Sequence, residues 1–375
     1  MLPYSQLVFD MQKTNPEVYV SRVVLRLKKD EADVVRLRSG IEQAIGNHPA
    51  FQMHIDAEGW QHYAPQADVL HGQYHSIDII EKGENVSVYI KMDRILGDAI
   101  SDGILIDDIV RAYKGLPLQK DYYLEYLQRK EEEKRTARYV ADRQWLEAEY
   151  GQISCPVHPN TDAPILKTDK PIEGQLPEDY SDLRNAIRKS GEKTLLSLNG
   201  FFSLASALAI MEYNGTDEAG LTWAYEGREK EDEQRIYGSL HRDVPFKISN
   251  FKSPVANHKS HLIREARNQI RRGIAHSSYP LTLTKPHTEI WDSALNVLVQ
   301  PSFWERLKDL PFSVEIVESA VESNIAYSLL DVEIYDAEQL IVNYRYSATH
   351  YKPESIQKFA ALVRKYVEWL LEGEK

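Results

Sequence analysis

Prolines at 156, 159, 164, 171 and 177 constrain this chain more than any other local feature. Proline lacks the N–H that a helix interior or a central strand must donate. The segment from Gly151 to Pro177 therefore reads as a linker, and the chain as two halves, residues 1–160 and 161–375. A length of 375 residues suits two subdomains of moderate size.

Both halves mix strand and helix signals. In the first, Ser5–Lys13 reads as helical, Val18–Leu27 as a β-branched strand, and Glu31–Gly46 as an amphipathic helix with apolar residues at helical spacing. Residues 51–55 and 59–63 form a hairpin pattern turning at Asp56–Gly59. Val86–Ile95 alternates as a strand. Helices are predicted over Asp102–Tyr113 and, as one long charged segment, over Tyr122–Tyr150. In the second half, Ala186–Lys189 reads as a short strand or turn. Leu195–Tyr213, His258–His276 and Pro353–Leu371 read as helices, Gly220–Tyr225 and Val314–Val317 as strands, and 327–335 with 339–346 as a hairpin. Interspersed strands and helices in both halves define an α/β class.

Charge and cysteine content exclude several functions. A net charge of −12 opposes general nucleic-acid binding, which needs a basic footprint. The local cluster Arg264, Arg267, Arg271 and Arg272 reads as a solvated helix face. No apolar run reaches the ~18–20 residues that span a bilayer, and the N-terminus lacks a secretory pattern. Cys155 is the only cysteine, so no internal disulfide forms, which fits a reducing, cytoplasmic compartment. Its Pro-rich surroundings suggest an inert thiol. His71 and His75 are four residues apart without a third ligand, so no metal site is expected.

Six segments, in order, resemble the condensation-domain family of nonribosomal peptide synthetases. They are Pro3–Gln6 (family P-L-S-x-x-Q), Ile41–Phe51 (the helix leading into R-H-x-x-L-R), Gly97–Gly103 (H-H-x-x-x-D-G), Pro164–Pro171 (P-x-L-P-x-D-x-P), Gly227-Arg228 with Tyr237–Lys247 (G-R, then V-G-x-F-x-N-T-L-P-L-R), and His276–Pro280 (H-x-x-x-P). The resemblance implies two chloramphenicol acetyltransferase-like subdomains in a V-shaped pseudodimer with a central channel. It further implies amide bond formation between two carrier-protein-tethered thioester substrates. No cofactor is bound directly: the phosphopantetheine belongs to partner carrier proteins, and adjacent synthetase domains are further implied partners.

In the motif segment Gly97-Asp98-Ala99-Ile100-Ser101-Asp102-Gly103 both histidines are gone. A neutral imidazole suits a reaction that must discharge an amine proton near neutral pH. A carboxylate with a pKa near ~4 is a poor substitute unless burial raises it. The resemblance places Asp98 where the family's second histidine meets the attacking amine, which makes it the candidate catalytic residue, able to hold a cationic amine. Asp102 and Gly103 are expected to anchor the loop, with Arg94 and Arg228 as candidate partners because Asn47 and Gln52 replace the family's arginines. Ser101 or Asp102 is expected to cap the following helix. Ser101 and His48 are candidate channel residues, although His48 reads better as a satisfied structural histidine. Two functions stay open: a divergent condensing acyltransferase, favoured because an open channel has most use in chemistry, and a degenerate module that docks carrier proteins or recruits a partner enzyme.

Overall fold

The computed structural model describes residues 1–13, 19–65, 67–151, 154–165, 172–249, 258–281, 294–300, 304–321 and 329–372. In chain order the elements are α1 (Pro3–Gln12), β1 (Val20–Lys28), α2 (Val34–Asn47), β2 (Met53–Ile55), β3 (Gln61–Tyr63), β4 (His71–Gly72), β5 (His75–Lys82), β6 (Asn85–Asp93), α3 (Ala99–Tyr113), α4 (Tyr123–Glu133) and α5 (Ala137–Tyr150). There follow β7 (Glu173–Asp179), α6 (Arg184–Thr194), α7 (Leu198–Asn214), β8 (Glu218–Tyr225), β9 (Arg242–Ser249), α8 (His258–Ala275), β10 (Asn296–Gln300), β11 (Glu315–Val321), β12 (Leu330–Asp336), β13 (Leu340–Ser347) and α9 (Pro353–Leu371).

They form two α/β units that interleave along the chain. The first comprises residues 1–134, 226–241 and 301–324; the second comprises 135–225, 242–300 and 325–375. The boundary expected at residue 160 falls inside the second unit. The division comes instead at Lys134/Arg135, where the expected long helix breaks into α4 and α5. Thr136 causes the break: its side chain accepts from Tyr139 N and starts a new helix.

The first unit carries a sheet of order β11-β1-β6-β5-β4. Alternate residues of β1 (Val23, Leu25, Leu27) and β6 (Val86, Val88) share one core with Leu37, Ile41 and Ile45 of α2 and Leu105, Ile109 and Tyr113 of α3. Helices α2 and α3 approach closely at Gly40, where a Cβ would lie 3.1 Å from Tyr113 N. The strand β11 arrives from far along the chain and pairs antiparallel with β1, Arg26 opposite Glu315.

The second unit has a sheet of order β7-β13-β12-β10-β8-β9. One face packs against α7, an almost wholly apolar helix, and α9, through Leu221, Val297, Val332, Val342 and Tyr344. Part of the expected linker proves to be strand β7, with Pro177 opposite Asn343. It lies at the sheet edge, where a proline costs no ladder hydrogen bond. The expected strand or turn at 186–189 is the interior of α6, which buries Ile187 and Ser190 on one face. No single helix among the described residues is long and apolar enough to cross a membrane.

Candidate functional site

The Gly97–Gly103 segment follows β6 and opens α3. Helix α3 starts at Ala99 rather than at the expected Asp102, because Asp98 is the cap. Asp98 Oδ1 accepts from Ser101 N at 3.0 Å, and Asp98 N donates to Ser101 Oγ at 3.3 Å, closing a reciprocal capping box. The carboxylate continues well beyond the cap. Arg228 donates Nη1 to Oδ2 and Nη2 to Oδ1, both at 3.0 Å, in a buried bidentate pair. Leu240 N (2.9 Å) and His241 N (3.2 Å) also donate to Oδ2. The Ser101 hydroxyl lies 2.9 Å from Oδ1 and 2.8 Å from the Gly238 carbonyl that it also addresses.

Burial alone would raise the Asp98 pKa. The Arg228 charge and hydrogen bonds, with the His241 charge and the cap, outweigh it and hold the carboxyl at about 2. Asp98 is therefore a fixed anion. Gly97 is equally constrained: a Cβ there would stand 2.8 Å from both Ser101 Cβ and Tyr237 Cε1. A histidine at 97 has no room in this packing.

Asp102 sits one turn into α3 and receives Arg94 Nη1 at 2.7 Å. Burial raises its pKa, against the lowering pull of Arg94. The two candidate arginines thus divide their work, Arg94 on Asp102 and Arg228 on Asp98. Gly103 contributes its carbonyl to Arg306 Nη1 at 3.3 Å. Arg94 follows the end of β6, so the Asp93-Arg94 pair marks a strand terminus.

His48 is fully buried at the end of α2. Its Nδ1 lies 2.7 Å from Asp121 Oδ2 and its Nε2 3.2 Å from Asp108 Oδ2. Burial would lower its pKa; hydrogen bonds and charge from Asp108 and Asp121 prevail and raise it. Tyr237 links this cluster to the motif segment. Its N–H donates to Asp121 Oδ2 at 2.9 Å, and its ring centroid lies 5.3 Å from that of His48. Ser101 and His48, expected to border a channel, are both fully shielded from solvent.

Elsewhere, His71 bridges Asp68 and Asp78, and His75 Nε2 meets the Val69 carbonyl. Among the described residues, no group of three His, Cys, Asp or Glu side chains is placed to hold a metal ion. Cys155 is buried, and burial pushes its thiol up to about 11. Residues 166–171 of the crossover motif lie outside the described residues. Reading the sequence missed Asp98 as the cap and the part played by Leu240 and His241, whose backbone N–H groups carry no signal in their side-chain identity.

The fold defines a two-unit α/β protein that retains the Asp102-Gly103 pair of the motif segment. The chain belongs to the condensation-domain family: the model described as "Condensation domain" matches residues 61–373. No curated protein sequence matches it. Among solved structures it is similar to the EpoB cyclization-docking bidomain of a nonribosomal peptide synthetase from Sorangium cellulosum, with TM-score 0.78, 13% identity, and 98% of this chain and 84% of that one covered. The epimerization domain from the third module of tyrocidine synthetase B gives TM-score 0.77, 15% identity and coverage of 99% and 96%. The first condensation domain of the calcium-dependent antibiotic synthetase, solved with a substrate analogue, gives 0.72, 14%, 99% and 95%. At such identities these likenesses show a shared fold.

Proposed function

We propose that this chain is a binding module of nonribosomal peptide synthesis. It receives carrier proteins bearing phosphopantetheine thioesters and takes no amine proton at Asp98. The reading is carried by the donors around Asp98: five N–H groups, from Ser101, Leu240, His241 and both Nη atoms of Arg228, converge on one carboxylate. A carboxylate offers about four lone-pair sites, so none is left for an incoming ammonium. With its pKa held at about 2, taking a proton from an alkylammonium of pKa ~10 is uphill by on the order of 10 kcal/mol. Amide formation with Asp98 as the proton acceptor, the role suggested by the family motif, is disfavoured on both counts.

The test measures product formation and carrier binding together, using several aminoacyl-loaded carrier proteins and the parent chain. Carrier binding without condensation is the expected result. Condensation by the parent that collapses in Asp98→Asn, with that variant folded and still binding carriers, would overturn the proposal. Condensation unchanged in Asp98→Asn would also overturn the binding-only reading and assign the chemistry to positioning of two tethered reactants.

A further inference from the structure

The segment from His276 to Pro280 plays no part around Asp98, yet it builds a polar cluster of its own within the second unit. His276 directly follows α8, and its backbone N–H donates to the Arg272 carbonyl at 3.0 Å. Its imidazole meets α5. Nδ1 lies 2.8 Å from Asp142 Oδ1, and the Asp142 side chain is only 3% exposed. Trp145, one turn further along α5, lays its ring on the imidazole, with centroids 4.3 Å apart and planes 19° off parallel. Ser278 Oγ donates to Asp142 Oδ2, and Arg138 Nε stands 3.8 Å from the same oxygen.

A carboxylate only accepts, so Nδ1 carries the proton of its bond to Asp142. In the neutral ring the lone pair then belongs to Nε2. Nε2 has no hydrogen-bond partner among the described residues and is not a buried atom. The His276 side chain is 33% exposed, which leaves that lone pair open to an incoming group. Each neighbour has a part in making it reactive. Asp142 fixes the tautomer, and its charge stabilises the positive charge the ring gains when Nε2 forms a bond. Ser278 and Arg138 hold the carboxylate in place, and Trp145 holds the plane of the ring.

We infer that His276 Nε2 is an acyl-accepting nucleophile for activated esters and thioesters, with Asp142 as its positioning residue. Nε2 attacks the acyl carbon, the bond from that carbon to oxygen or sulfur breaks, and a phenolate or thiolate leaves with the electron pair. Water then adds to the acyl-imidazolium and the C–N bond breaks. A carboxylate is released, two protons pass to solvent, and the neutral ring is restored. The inference stands apart from carrier docking, since small acyl donors test it on the full chain. Diethyl pyrocarbonate is the first probe, because its ethoxycarbonyl adduct on an imidazole survives peptide mass spectrometry. His54 is the internal standard: it is exposed on β2 and makes no hydrogen bond or ion pair among the described residues. Exposure alone ranks His54 ahead of His276. The expected order is the reverse, with His276 modified about tenfold faster. Asp142→Asn should slow labelling of His276 about tenfold or more and leave His54 unchanged. With p-nitrophenyl acetate, His276→Gln should remove most of the nitrophenolate release, and His54→Gln little of it. Labelling of His276 no faster than of His54, labelling of His276 unaffected by Asp142→Asn, or release at the parent rate in His276→Gln would each overturn the inference. The ranking within the parent chain decides even if the variants fail to fold.

Discussion

Asp98→Asn isolates the charge of the buried Asp98–Arg228 pair. Asparagine caps a helix as well as aspartate does, so the start of α3 is preserved. What is lost is the anion facing a guanidinium whose side chain is 1% exposed. Removing one member of a buried pair strands the other, at a typical cost of ~3–5 kcal/mol. The pKa gives an independent lower figure: a fall from 3.8 to about 2 corresponds to ~2 kcal/mol at neutral pH. Because the folded pKa is depressed, this stabilisation is fully present above the unfolded value near 4. It disappears as pH falls through about 2. Urea unfolding of parent and variant at several pH values, followed by far-UV circular dichroism, reads the difference directly. The gap should be at least ~2 kcal/mol at pH 7 and narrow as pH drops below about 4. A gap under ~1 kcal/mol at neutral pH, or one independent of pH, would refute the assignment of Asp98 as a charge-paired structural anion.

Gly97→Ala should lower stability by ~1–3 kcal/mol, through overpacking against Ser101 and Tyr237, measurable as a fall in Tm. His48 has a raised pKa, so its contribution is fully present below its ordinary value of ~6.5 and fades as pH rises through the folded value. The stability difference between the parent and His48→Gln should accordingly shrink on going from acidic to alkaline pH. Cys155, with its thiol pushed up to about 11, should react with a disulfide reagent at pH 8 roughly 100-fold more slowly in the folded protein than in urea.

The elements with strong local patterns were legible in the sequence, and the long-range contacts were not. Leu340–Ser347 alternates, and Pro353 starts a helix whose Ile356, Phe359, Val363 and Val367 fall on one buried face. Strand β9 is masked in the sequence by Pro245, which lies within it. In the site, Asp98 and Arg228 lie 130 residues apart. Nothing near either position says which aspartate each arginine meets. The motif resemblance brought Asp98, Asp102, Arg94 and Arg228 to attention. Only the fold shows that Asp98 is saturated with donors while Asp102 takes Arg94. The converging donors decide the chemistry here, and their meeting on a single carboxylate is a property of the assembled unit.

The pairing of β11 with β1 bears on how the chain is made. Arg26 and Glu315, which face each other across these two strands, are 289 residues apart. At the ~5–20 residues per second of ribosomal synthesis, β1 waits roughly 15–60 s for the neighbour that covers its edge. Arg228, too, emerges well after Asp98. During that interval the nascent first unit presents an open strand edge and a carboxylate without its guanidinium, the kind of surface on which unfinished chains pair with one another. A fragment ending at residue 160 would be held permanently in that state. Slower growth or higher nascent-chain density should therefore raise aggregation of this protein before its final third has been translated.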